Sequence, residues 1–179
     1  MSYPLAQSFP AQRAVPSWLH TVRQAFADVE DRLDSRRVSF STRRAEEALE
    51  LVRPALIDAG FQVSPGKRAS VSMHRGHDRE GNVIPGHEVD AFHPTHKVVL
   101  EIDAGRAAQS NTGYRAILNG ALLEDADHLV LAVPISYRYQ NNGREAAINA
   151  YDSHVELARE IYRSHRLALP FRTLTVFGW

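Results

Sequence analysis

At 179 residues the chain is long enough for one domain with a buried core. Its 44% hydrophobic and 23% charged residues are those of an ordinary soluble globular protein, and its 21 basic and 21 acidic side chains cancel, which argues against a uniformly basic coat for nucleic acid. The absence of cysteine excludes disulfides, zinc–thiolate centres and thiol nucleophiles and fits a reducing, cytoplasmic setting.

The first residues, MSYPLAQSFPAQRAVPSW, have neither the charged start nor the apolar centre of a secretory signal. With Pro4, Pro10 and Pro16 they read as a poorly ordered lead-in over 1–16, leaving 17–179 as a single domain. Trp18, Val22, Phe26, Val29 and Leu33 recur at three- and four-residue steps and predict an amphipathic helix with Ser17 as its N-cap. A second helix is predicted from about Thr42, with Ala45, Ala48, Leu49, Val52 and Leu56 as its stripe, a kink at Pro54 and a stop at Gly60. A short strand follows at Phe61 to Val63, then turns around one further strand, ASVSM.

Two strands, EVDAF and KVVLEID, come next. Beyond them a third helix is predicted over Asn111 to Leu123, with Tyr114, Ile117, Leu118, Ala121 and Leu122 on its buried face. HLVLAVPI is apolar on both sides, as at the centre of a sheet, and its core LVLAV is too short to span a bilayer. After a loop, YRYQNNGR, a fourth helix is expected from about Glu145 to Ser164, with Ile148, Tyr151, Val155, Ala158 and Tyr162 inward. TLTVF is the last strand. The order describes one α/β domain with a central mixed sheet flanked by helices.

The chemistry is concentrated in HEVDAFHPTHKVVLEIDAGRAAQSNTGYR, residues 87–115. Side chains alternate along a strand, so Val98, Leu100 and Ile102 share one face while Lys97, Val99, Glu101 and Asp103 share the other. Asp90 lies with Glu88 and Phe92, opposite Val89 and Ala91. If Pro94 to Lys97 close a hairpin, His93 pairs with Val98 and Asp90 falls across from Glu101. Three carboxylates then crowd one patch, which repels itself unless a cation is present. A hard ion such as Mg²⁺ (or Mn²⁺) suits carboxylate oxygens. The spacing of His87, Asp90, His93 and His96 suggests a ligand stack on a helix, but Gly86 and Pro94 oppose a helix there and a strand sends these residues to alternate faces.

An α-helix, a three-strand meander, a helix and a further strand, with Asp90 on the second strand and Glu101-Ile-Asp103 on the third, resembles the PD-(D/E)XK nuclease superfamily over roughly residues 42–135. The form is most similar to the branch that holds restriction endonucleases such as BamHI and BglII, in which the usual lysine is replaced. The resemblance implies a restriction-endonuclease-like core and a Mg²⁺-dependent endodeoxyribonuclease. Asp90 and Glu101 would hold the metal, and Asp103 would position the attacking water, accept its proton or help hold a second ion. A glutamate from the first core helix is often recruited as well, and Glu46, at the edge of the apolar stripe, is the candidate. Two departures stand out. Val89 takes the place of the proline, and Asp103 takes the place of the lysine. Lys97 is four residues upstream of Glu101, roughly 13 Å along a strand, too far to substitute.

Arg106, Asn111 and Arg115, just beyond the carboxylates and near the start of a helix, are candidates for phosphate or DNA contacts. DNA is the expected partner, with no membrane involved. A homodimer is the usual state of enzymes that cut palindromes, although no run of residues marks a dimer surface. The rival function is a catalytically inactive module of the same fold that serves binding or regulation, favoured by the missing lysine and the zero net charge. A third reading is purely structural, with the acids paired to arginines.

Overall fold

Two nearly all-apolar segments, His128–Val133 and Thr173–Gly178, lie side by side in parallel at the centre of the fold, with Leu129, Val130, Leu174 and Val176 fully buried. The computed structural model describes residues 3–11, 15–37, 44–66, 71–105 and 112–179. In chain order the elements are β1 (Leu5–Phe9), α1 (Ser17–Ala27), α2 (Glu30–Leu33), α3 (Arg44–Asp58), β2 (Gln62–Val63), β3 (Val71–Met73), β4 (His87–Val89) and β5 (Ala91–His93). Then follow β6 (Val98–Ile102), α4 (Thr112–Ala121), β7 (His128–Val133), β8 (Ser136–Asn141), β9 (Arg144–Asn149), α5 (Ala150–Ser164) and β10 (Thr173–Gly178).

Six strands form the central mixed sheet in the order β1-β10-β7-β6-β5-β2. β6, β7 and β10 run parallel, joined by helical crossovers, while β1, β5 and β2 pair antiparallel at the two sides. The alternation of β6 decides which helices cover which face. Val98, Leu100 and Ile102 enter the core formed with Trp18, Phe26 and Leu56 of the α1–α3 side. Val99 enters the core formed with Ile117 and Val155 of the α4–α5 side. The result is a three-layer α/β domain, as its sequence pattern predicts.

Several local expectations give way. Residues 1–16 are not simply a lead-in: Leu5–Phe9 is an edge strand paired with β10, tied by the Ser8 and Thr175 hydroxyls 2.8 Å apart. Pro4 and Pro10 bracket it, where a missing N–H costs no ladder bond. The first helix breaks after Ala27 and resumes at Glu30, and its N-cap is Pro16, with Ser17 the first helical residue. YRYQNNGR is no loop. It belongs to a β8–β9 hairpin whose Asn142 and Gly143 turn at φ of 50° and 76°, so the helix begins only at Ala150, capped by Asn149.

The third helix also turns a different face inward. Tyr114, Leu118 and Leu122 are exposed, while Gly113, Ile117 and Gly120 are buried. A Cβ at Gly120 would approach the Leu129 side chain to 3.0 Å. Close approach to the sheet selects the small-residue face over the larger apolar one.

Candidate active site

The carboxylates meet at one corner. β4 belongs to a separate two-stranded sheet with β3, whereas β5 belongs to the central sheet, and Asp90 is the bend between them. The simple alternation predicted for EVDAF therefore fails: Val89 is buried on the α4–α5 side and Ala91 on the α1–α3 side. The hairpin register does hold. His93 pairs with Val98 and Ala91 with Leu100, so one step further Asp90 stands opposite Glu101. Asp90 is fixed there by two backbone bonds: its Oδ2 accepts the Ile102 N–H at 2.7 Å and its carbonyl accepts the Ser64 N–H at 2.8 Å.

Asp103 follows directly after β6. Its N–H donates to the Ala132 carbonyl at 2.8 Å, and its Oδ1 accepts the Gly105 N–H at 2.5 Å. Gly105 has φ of +88°, and a Cβ there would lie 2.6 Å from both Pro134 and the Tyr137 ring. The tight turn that presents Asp103 depends on that glycine.

Electrostatics bind the three acids into one group. Burial pushes the Glu101 carboxyl up to about 8, with the Asp90 and Asp103 charges adding to the effect. Asp90 is raised for the same first reason; Asp103 adds, and the Ile102 amide pulls the other way. Crowded acids in a poorly solvated corner hold a proton more tightly, because burial disfavours the charged form and each charge disfavours the next. Among the described residues His87 approaches Glu101, its Nε2 4.0 Å from Oε1, beyond hydrogen-bond reach. Burial and the Arg75 charge depress the imidazole, so it stays neutral.

Behind Glu101 and Asp103 lies a cavity of about 80 Å³, bounded by Gly113, Leu131, Val133 and His154. It has room for a few waters, at about 30 Å³ each. His154 is buried on α5 and its Nδ1 donates to the Ala150 carbonyl at 2.7 Å, which leaves the Nε2 lone pair. That nitrogen would lie 3.0 Å from a Cβ at Gly113. Glycine leaves the space open.

Of the other expected site residues, the two that are described, Glu46 and Arg115, are not gathered here. Glu46 is exposed on the first turn of α3, a helix that packs on the opposite face of the sheet from the α4–α5 cavity behind Glu101, and it is not among the charges that perturb Glu101. The stripe of α3 runs through Ala48, Leu49, Val52 and Leu56, all buried, with Ala45 partly buried at its start, and Glu47 instead of Glu46 is the half-buried acid. Arg115 is exposed on α4, and Arg106 and Asn111 lie outside the described residues. Lys97 sits in the β5–β6 turn and pairs with Asp125 at 3.7 Å. The His93 and His96 rings lie tilted against each other at that same distant end, with centroids 4.5 Å apart.

A hard divalent cation fits the chemistry of Asp90, Glu101 and Asp103, although among the described residues no three acids or histidines lie close enough to share one ion. Mg²⁺ does not need three, since it is commonly held by one or two carboxylates with waters and substrate phosphates. His87, Arg75 and His154 were not among the residues expected from sequence. His154 is the most recoverable of the three, because it falls on the inward stripe with Tyr151, Val155 and Ala158. Comparison of the chain with family models, curated proteins and solved structures returns no match.

Proposed function

We propose that this protein is a divalent-metal-dependent nuclease that hydrolyses DNA phosphodiester bonds and acts in the cytoplasm. The observation that carries the reading is the placement of Asp90 across the hairpin from Glu101 with Asp103 just beyond it, a buried group of acids in which the Glu101 carboxyl is pushed up to about 8. Groups of like charge placed together at a cost to the apo protein are accounted for by a cation that relieves the cost. Asp90 and Glu101 are the residues that would hold Mg²⁺ or Mn²⁺. Such an ion supplies a polarised phosphate and a more acidic bound water. Asp103 orients the attacking water from the turn at Gly105.

The order of elements supports the same reading. α3, the antiparallel run β2–β5–β6, the crossover α4 and the parallel strand β7 follow the sequence helix, three strands, helix, strand that the PD-(D/E)XK resemblance implies, with β3–β4 inserted between the first two strands. Asp103 in the lysine position favours a second reading, an inactive module of this fold. Incubation of supercoiled plasmid with Mg²⁺ or Mn²⁺ separates them: nicking or linearisation that is lost in Glu101→Gln supports the nuclease, and intact plasmid under both ions sinks it. Among the described residues no helix is long and apolar enough to cross a membrane.

A further inference from the structure

A half-buried cation stands one imidazole ring away from the carboxylates without pairing with them. Arg75 follows β3, and its backbone neighbours are tied on both sides: the His74 carbonyl accepts the Glu124 N–H at 3.2 Å and the Gly76 carbonyl accepts the Ile84 N–H at 2.9 Å. Arg75 Nη2 donates to His87 Nδ1 and to Asn119 Oδ1, each at 3.2 Å. Both acceptors are neutral, since arginine can only donate and His87 Nδ1 must therefore carry the lone pair. Arg75 Nε is buried with no hydrogen-bond partner. Among the described residues no carboxylate lies within ion-pair distance of this guanidinium, even though Glu101 is just beyond the His87 ring.

Holding a half-buried guanidinium with its charge unpaired and one buried donor unmatched is costly. His87 and Asn119 hold the side chain in place without neutralising it, and His87 screens it from Glu101. We propose that Arg75 is an anchor for a backbone phosphate of a nucleic-acid strand crossing the carboxylate corner. The planar fork of N–H donors matches phosphate oxygens, and the charge that the protein leaves unpaired is the one a phosphate supplies. This assigns a phosphate contact to Arg75, on the β3–β4 side of the site, a residue that the sequence pattern does not single out. It rests on the nuclease reading only for the identity of the polymer, because the anion site itself requires no metal.

The test is the salt dependence of binding to a short fluorescein-labelled DNA duplex, followed by anisotropy in EDTA and again with Ca²⁺. Wild type is compared with Arg75→Gln and Arg75→Lys, with thermal melts as a fold control. Loss of one phosphate contact lowers the slope of log K against log salt by about 0.9 and weakens binding roughly tenfold at low salt. Arg75→Gln is expected to show both effects and Arg75→Lys to keep most of the slope. Inorganic phosphate that abolishes the difference between wild type and Arg75→Gln at constant ionic strength marks a free-phosphate site and overturns assignment to the polymer. An unchanged slope in Arg75→Gln, or no duplex binding by wild type, overturns the proposal. Arg75-dependent duplex binding by a protein that binds no Mn²⁺ upholds it while removing the metal reading.

Discussion

The Asp90 carboxylate accepts the amide hydrogen of Ile102, one residue beyond the glutamate it repels, at 2.7 Å. Asp90 is therefore both a structural pin and a member of the acidic group. The same carboxylate that stitches the β4–β5 bend to β6 brings its charge against Glu101.

That double role predicts different outcomes for two substitutions. Asp90→Asn keeps an acceptor for Ile102 and removes the charge, so the apo protein should melt at or above the wild-type temperature. Asp90→Ala leaves the Ile102 N–H without its partner, at a cost of about 1–3 kcal/mol. Calorimetric melts without metal should place Ala below Asn. Equal melting temperatures would show that the bond contributes nothing.

Glu101 makes the stability of the apo protein depend on pH. Its ordinary value is 4.5 and its value in the fold is about 8, so the folded state binds the proton more tightly. The stabilisation is fully present below about pH 4.5 and is lost as pH rises to about 8. Glu101→Gln removes this dependence. The melting temperature of wild type minus that of Glu101→Gln should fall steadily from pH 5 to 8, each kcal/mol being worth roughly 2–4 °C in a domain of this size. The depressed His93 works in the opposite direction, but it lies far from Glu101, is common to both proteins and drops out of the difference. A flat difference across the window contradicts the assignment.

Gly105→Ala tests the turn that presents Asp103. A methyl group 2.6 Å from Pro134 and Tyr137, on backbone at φ +88°, must displace one of them. Destabilisation of about 1–3 kcal/mol is expected in urea melts, from overpacking and left-handed strain together. A neutral result would mean that the turn relaxes without cost.

At the β8–β9 hairpin, Gly143→Val replaces a residue at φ +76° for which no atom stands in the way of a Cβ. The penalty is therefore backbone strain alone, about 1–2 kcal/mol. Because this hairpin is a separate two-stranded sheet, faster amide exchange should be confined to Ser136–Asn149. Loss of protection across β6, β7 and β10 would show that the hairpin is coupled to the core.

Periodicity and register were the legible parts. The alternation of Val98, Leu100 and Ile102 against Val99 and Glu101, together with a four-residue turn, was enough to place Asp90 opposite Glu101. What escaped was governed by contacts remote in sequence. Asn142-Gly143 is a strong local hairpin signal that the helical pattern downstream obscured. The buried face of α4 follows from how closely Gly113 and Gly120 can approach their neighbours, which counting large apolar residues does not detect. Arg75 meets His87 and Asn119, 12 and 44 positions away, only through the β3–β4 pairing and the packing of α4.

The central claim, that the Asp90–Glu101–Asp103 corner is a divalent-cation site, is tested most directly by titration calorimetry of Mn²⁺ into the metal-free protein at pH 7 in two buffers of different ionisation heat. A cation that binds Glu101 must displace the proton held by a carboxyl whose value is about 8. Saturable binding whose heat changes with the buffer, and which disappears in Glu101→Gln, is the predicted result. No binding, or binding that survives in Glu101→Gln with the same heat in both buffers, contradicts the claim.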